Sequence, residues 1–153
     1  MPGNIFENQV LWTGLLGWFL AQMIKPFVEY LIRRRWNWGL WFSAGGNPSS
    51  HSALMTATTL AIGLYIGFNT PIFALAVAIS MIVVYDAAGV RRQAGMQAAR
   101  INRLFEEIFA GRPISDKRLK EVLGHTPRQV ISGVLLGALC AILMYVIWPP
   151  IQP

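Results

Sequence analysis

Apolar residues collect along this chain in four windows, separated by short polar breaks and one long basic one. The windows cover residues 10–32, 52–68, 71–90 and 129–148, and a helix needs about 20 mostly apolar residues to cross a bilayer. The second window is short. Phe68-Asn69-Thr70-Pro71, between the second and third, reads as a tight turn that makes the pair an antiparallel hairpin. Small residues four apart, Gly63 with Gly67 and Gly133 with Gly137, allow close helix packing. In the long break, Ile101, Leu104, Phe105 and Ile108 recur at helical spacing with Arg100, Arg103 and Glu107 opposite, which predicts an amphipathic helix lying at the interface. Gly111-Arg112-Pro113 ends it. A short helix over residues 116–124, capped by Ser115, should follow. The pattern therefore predicts an all-α, polytopic helical membrane protein. It has about four spans, an interfacial amphipathic helix and a short cytoplasmic helix, in one domain over residues 1–153.

Composition agrees: 54% of the 153 residues are hydrophobic and 13% charged, against roughly a quarter charged in a soluble domain. The single cysteine, Cys140, excludes an internal disulfide and reads as a small buried hydrophobe. An acidic residue, Glu7, and no basic cluster precede the first window, so that window is expected to be retained rather than cleaved as a signal peptide.

Charge adds orientation. Twelve of the thirteen Lys and Arg fall in two connections, Arg33–Arg35 after the first window and the long break before the fourth. Basic residues bias connections toward the cytoplasm, so both connections are expected inside and both chain ends outside. A net charge of +6 gathered on one side suits anionic headgroups or phosphate and makes nucleic acid a poor partner. Topological signalling alone accounts equally for most of these arginines.

The same topology brings the two histidines to one surface. His51 sits in "GGNPSSHSA", residues 45–53, where the second window begins, and His125 in "LGHTPRQVISG" just before the fourth. Pro48 and Pro127 fall near the first helical positions, where a missing N–H costs nothing. Helix starts present unpaired N–H groups and a partial positive charge, which suits phosphate. Gly45 and Gly46 allow close backbone approach, and Ser49 and Ser50 offer hydroxyl and amide donors. The loop reads as an anion cradle or, equally on these residues alone, as helix capping by Asn47 or Ser49. No spacing here suits a metal, no Gly-Lys-Ser/Thr loop occurs, and no cofactor is expected.

"NPSSHS" resembles the Pro-Ser-Gly-His motif of the type 2 phosphatidic acid phosphatase superfamily, which also includes vanadium haloperoxidases. "GHTPRQVISG" is similar to its last motif, Gly-x-His, three residues, Asp, three residues, Gly. Together "SAGGNPSSHSA", "YDAAGVRRQAG" and "LGHTPRQVISGVLLG" resemble the divergent branch of that superfamily, from about Lys25 to Gly137.

The resemblance implies that His125 attacks phosphorus to form a phosphohistidine while His51 protonates the leaving oxygen. An imidazole, with an ordinary pKa near about 6.5, suits either role. It further implies phosphate contacts from Lys25, Gly46, Ser49 and Ser50, and a phosphorylated lipid as partner. The family's first motif separates its lysine from Arg-Pro by six residues. Here seven residues separate Lys25 from Arg33 and no proline follows. Snorkelling to the interface explains Lys25 as well. Gln129 stands where the family has the aspartate that orients the nucleophile, and Arg118-Leu119 where it has Ser-Arg. A glutamine can hold a tautomer but cannot stabilise an imidazolium by charge. Asp86 is expected to compensate, with Arg91 and Arg92 gripping phosphate as bidentate forks. An Asp–Arg structural clamp is the alternative. Three functions follow: a membrane phosphatase, a phosphate-headgroup binding or transport protein without turnover, or a structural membrane component.

Overall fold

A computed structural model describes residues 4–43, 45–108 and 125–150. Among these residues every regular element is helical: α1 (Gln9–Arg33), α2 (Ser50–Tyr65), α3 (Pro71–Ala88), α4 (Val90–Ile108) and α5 (Pro127–Ile147), with short 3-10 turns at Ile5–Glu7 and Trp38–Phe42. The starts follow local chemistry. Asn8, Ser49, Thr70 and Thr126 each accept a backbone N–H of the first turn, and Pro71 and Pro127 occupy first positions that need no donor. Pro48 differs from expectation, since it lies one residue ahead of the Ser49 cap rather than inside the helix.

Helix α2 is the axis. It packs on α1, α3 and α5, and its stripe of Ala53, Ala57 and Ala61 is fully buried. Gly133 and Gly137 of α5 lie so close to α2 that a methyl group at either would collide with the carbonyl of Ser49 or Ala53. On the opposite flank, Gly14 and Gly17 of α1 abut Thr58 and Ala57. Of the two glycine pairs that the spacing marks for close packing, Gly133 with Gly137 makes the helix contact, whereas Gly63 and Gly67 serve otherwise. Gly63 lies under the Phe68 ring, and Gly67 sits beyond the helix in the turn at φ +127°. Large apolar side chains face outward, among them Phe19, Leu75, Ile82, Leu135 and Ile142. Small residues inside and large apolar residues outside is the packing logic of helices in lipid, where close backbone approach rather than water exclusion holds elements together.

Among the described residues two helices, α1 and α5, are long and apolar enough to cross a membrane, and α3 is a shorter apolar helix. At 16 residues, α2 rises about 24 Å, less than a hydrocarbon core of about 30 Å. Its neighbours wrap it, so lipid need not match its length. Helix α4 begins directly after Gly89, earlier than periodicity indicated, and leaves Ile101, Leu104, Phe105 and Ile108 exposed on one face. The expected helix over residues 116–124 lies outside the described residues.

Chain directions follow from side-chain bonds. Gln9 Nε2 donates to the carbonyls of Trp148 and Pro149, both at 3.1 Å, and Tyr65 Oη to that of Trp148 at 2.9 Å. Ser80 Oγ meets Thr59 Oγ1 at 2.6 Å, and the His125 N–H donates to the Ala87 carbonyl at 3.1 Å. Helices α2 and α5 therefore run parallel to each other and antiparallel to α1 and α3. One end of the bundle carries the start of α1 and the end of α5. The other carries Arg33–Arg35, the starts of α2 and α5, and the end of α3.

Candidate active site

The alternation of directions determines what can meet at that second end. His51 is the second residue of α2, Asp86 lies in the last turn of α3, and His125 immediately precedes the Thr126 cap of α5. All three line one cavity of about 250 Å³, whose remaining walls are Ile82, Val83 and Ala87.

His125 is 4% exposed and held twice. Its backbone N–H is bound by α3 at Ala87, and its ring Nδ1 lies 3.3 Å from Gln129 Oε1. The same Oε1 accepts the Thr126 N–H at 2.9 Å, completing a capping box. Because that N–H can only donate, the atom facing it must be the amide oxygen, and a carbonyl oxygen facing Nδ1 requires Nδ1 to carry the proton. In the neutral ring the lone pair is then on Nε2. Gln129 thus does structurally what a tautomer-holding carboxylate would do, without its charge.

The serine-rich loop is braced from both sides. The Ser49 N–H donates to the Gln129 carbonyl at 2.9 Å. Its hydroxyl accepts from the Ser52 N–H at 3.3 Å and the Ser52 hydroxyl at 3.0 Å. Fully buried, Ser49 serves the helix cap. Ser132 Oγ donates to Asn47 Oδ1, tying the loop to α5. On the other side Lys25, also fully buried, donates from Nζ to Gln22 Oε1, to the Ser43 carbonyl at 2.9 Å and to Ser50 Oγ at 3.5 Å. Gly46 passes Lys25 at φ +99°, a conformation that favours glycine, and a Cβ there would sit 3.3 Å from Lys25 Cδ.

The candidate residues therefore form two adjoining groups. His51, Asp86 and His125 share the cavity, while Lys25, Gly46, Ser49 and Ser50 form the buried brace behind the start of α2. Neither Lys25 nor Ser50 lines the cavity, and Ser50, which accepts from Lys25, is the chain neighbour of His51. Arg91 and Arg92 fall in the first turn of α4, and their side chains lie outside the described set, as do Arg118 and Leu119. Gln22, 7% exposed, was missed. It accepts from Lys25 and donates to the Trp41 carbonyl at 2.7 Å, and its only sequence signal is a polar residue three positions before the buried lysine.

A family model, the Divergent PAP2 family, matches residues 6–140. The chain belongs to that family. It is also 35% identical over 152 residues to the "Uncharacterized membrane protein YuiD" of Bacillus subtilis (strain 168), covering 92% of this chain and 96% of the relative. No solved structure matches. The family match spans both histidine motifs and Asp86, and the all-α fold with its outward apolar side chains is that of a helical membrane protein.

Proposed function

We propose that this Divergent PAP2 family member is a multi-pass membrane phosphatase that hydrolyses a lipid phosphate or prenyl (di)phosphate at the cytoplasmic leaflet, through a phosphohistidine on His125. The observation that carries the reading is the cavity shared by His51, Asp86 and His125, with His125 Nδ1 facing Gln129 Oε1 so that the neutral ring carries its lone pair on Nε2. The basic residues beside the same end support a cytoplasmic placement.

In this mechanism Nε2 of His125 forms the N–P bond as the P–O bond to the leaving group breaks, the lipid alcohol of a monophosphate or the prenyl phosphate of a diphosphate, and His51 as imidazolium gives that oxygen its proton. Water then attacks phosphorus, passing a proton to the now neutral His51. The N–P bond breaks, releasing inorganic phosphate and the neutral His125 ring. Asp86 orients a histidine and balances positive charge that the neutral Gln129 cannot. The first N–H groups of α2, Arg91 and Arg92 stabilise the equatorial oxygens, and Lys25, Gly46, Ser49 and Ser50 hold that helix start in place. A cavity of about 250 Å³ falls below the roughly 300–1,000 Å³ of drug-sized ligand pockets. It takes a phosphate group and leaves the tail in the bilayer, beside the apolar walls Ile82 and Val83.

Phosphate release from a panel of lipid phosphates by reconstituted protein tests the proposal. Release that disappears in both His51→Ala and His125→Ala is expected, and release unaffected by either would end it. Asp86→Asn should slow release, and unchanged hydrolysis and phosphate affinity would remove Asp86 from the site. Gln129, lacking the charge of the family's aspartate, favours one second reading, a headgroup-binding or transport protein without turnover. Tight lipid-phosphate binding without release would select it.

A further inference from the structure

The basic end holds a second polar recess that shares no lining residue with the histidine cavity. Its volume is about 600 Å³ and its walls are Glu29, Arg33, Arg35, Trp36 and Asn37. The chain makes this recess by reversing at Arg34, whose left-handed backbone (φ 56°) ends α1 while its N–H donates to the Tyr30 carbonyl at 2.8 Å. Residues 35–37 are thereby folded back beside the last turns of the helix they follow.

Two features specify what the recess accepts. The first is charge. Arg33 Nε lies 3.3 Å from a Glu29 carboxylate oxygen, so one guanidinium is balanced and oriented. Among the described residues Arg35 has no carboxylate within ion-pair distance, which leaves the lining with one net positive charge. The second is depth. Trp36 stacks on Tyr30 at 4.4 Å and 14° and on Trp38 at 5.0 Å and 5°, with Phe27 edge-on to both indoles. Trp36 and Trp38 are nevertheless about half exposed, and Phe42 almost wholly so. A rigid ladder of half-exposed indoles at the end of an apolar helix marks the headgroup level of a bilayer, where such rings partition. A guanidinium without a carboxylate partner among the described side chains, held at that depth, faces lipid phosphates, and its planar fork matches their oxygens.

We propose that this recess binds the phosphate of an anionic glycerophospholipid from the surrounding leaflet, with Arg35 as the principal ligand, Arg33 oriented by Glu29 as the second, and the Trp36 ladder as the wall along the glycerol. The site is independent of catalysis: its lipid is a resident of the annulus and not the substrate of the histidine cavity.

The test is native mass spectrometry of the full-length protein in mild detergent, titrated with phosphatidylglycerol and, in parallel, phosphatidylcholine of the same acyl chains. Wild type should retain phosphatidylglycerol in preference. Arg35→Ala should lower that retention about fivefold, the share of one arginine near an anionic surface, and leave phosphatidylcholine unchanged. Arg35→Lys, which keeps charge and perturbs folding least, should fall between the two. Arg100→Ala/Arg103→Ala on α4 and His125→Ala should retain phosphatidylglycerol as wild type does. Equal retention of both lipids by wild type would overturn the proposal, and so would an equal loss in the α4 double variant, which would indicate diffuse surface charge. Loss in His125→Ala would place the lipid in the histidine cavity instead, and full displacement by inorganic phosphate would reveal a site for soluble anions. Either result rejects the inference without touching the phosphatase reading, which rests on release from His125.

Discussion

The starts of α2 and α5 share their ingredients and use them differently. Each has a hydroxyl cap, a nearby proline and a histidine. At α2 the cap precedes the histidine, so His51 belongs to the first turn, with its backbone committed to the helix. At α5 the histidine precedes the cap, so His125 stands outside the helix, pinned through its N–H to Ala87 and through its ring to Gln129. One ring faces Gln129 Oε1 through Nδ1, while the other is carried on the first turn of α2 beside the same cavity. The order of two residues along the chain thus gives the two histidines different surroundings, which under the proposed mechanism suit a nucleophile and an acid–base.

The largest effect should come from exchanging those roles. His125→Ala should abolish both turnover and phosphoenzyme. His51→Ala should lose about 10²–10⁴-fold in turnover, the range for general acid–base catalysis, while still accumulating a phosphate-mass adduct on His125. Intact-mass measurement after substrate addition distinguishes them, and an adduct in neither would remove the distinction between the two sites.

Next in size is the helix contact that keeps the two starts level. Gly137→Leu would drive a side chain into the Ala53 carbonyl and should cost about 1–3 kcal/mol, as overpacking does, read as a lower melting temperature in detergent. Gly63→Ala meets only the Phe68 ring, which can turn aside, and should cost less.

Gln129 offers a finer probe of the α5 side alone. Gln129→Leu removes the acceptor at Nδ1 and should slow turnover about fivefold, the worth of a hydrogen bond of about 1 kcal/mol. Gln129→Asp restores a charge beside the imidazolium and should raise it. If both variants match wild type, the Nδ1 contact has no part in the chemistry.

Smallest of all, Ser49→Ala should lower stability by about 1 kcal/mol, the worth of a cap, without weakening phosphate affinity, because its hydroxyl is buried against Ser52. A loss of affinity at constant melting temperature would move Ser49 from the brace into the anion site.

Much of the fold was legible. Thr70-Pro71 and Thr126-Pro127 marked helix starts because a cap hydroxyl and a donor-free first position act within one turn. The apolar windows located α1, α2, α3 and α5 to within a few residues. Legibility failed where a residue's role depends on a distant neighbour. Gly14 and Gly17 have no special conformation and matter only because α2 lies against them. Gly67 has the spacing of a packing glycine but the backbone of a turn. Lys25 resembles a snorkelling lysine, and its burial follows from Gln22, Ser43 and Ser50 closing around it.

The candidate site divides along the same line. Sequence alone established which chemical groups the protein owns, two imidazoles, a carboxylate near a helix end and a basic face, together with the helices that carry them, because composition, caps and periodicity are local properties of a chain. Only tertiary structure decided that His51, Asp86 and His125 share a cavity, that Gln129 Oε1 faces His125 Nδ1, and that Arg35 lines a separate recess. Those outcomes depend on helix direction and on close approach across glycine contacts, and a bond between residues far apart in the chain exists only once packing has brought them together.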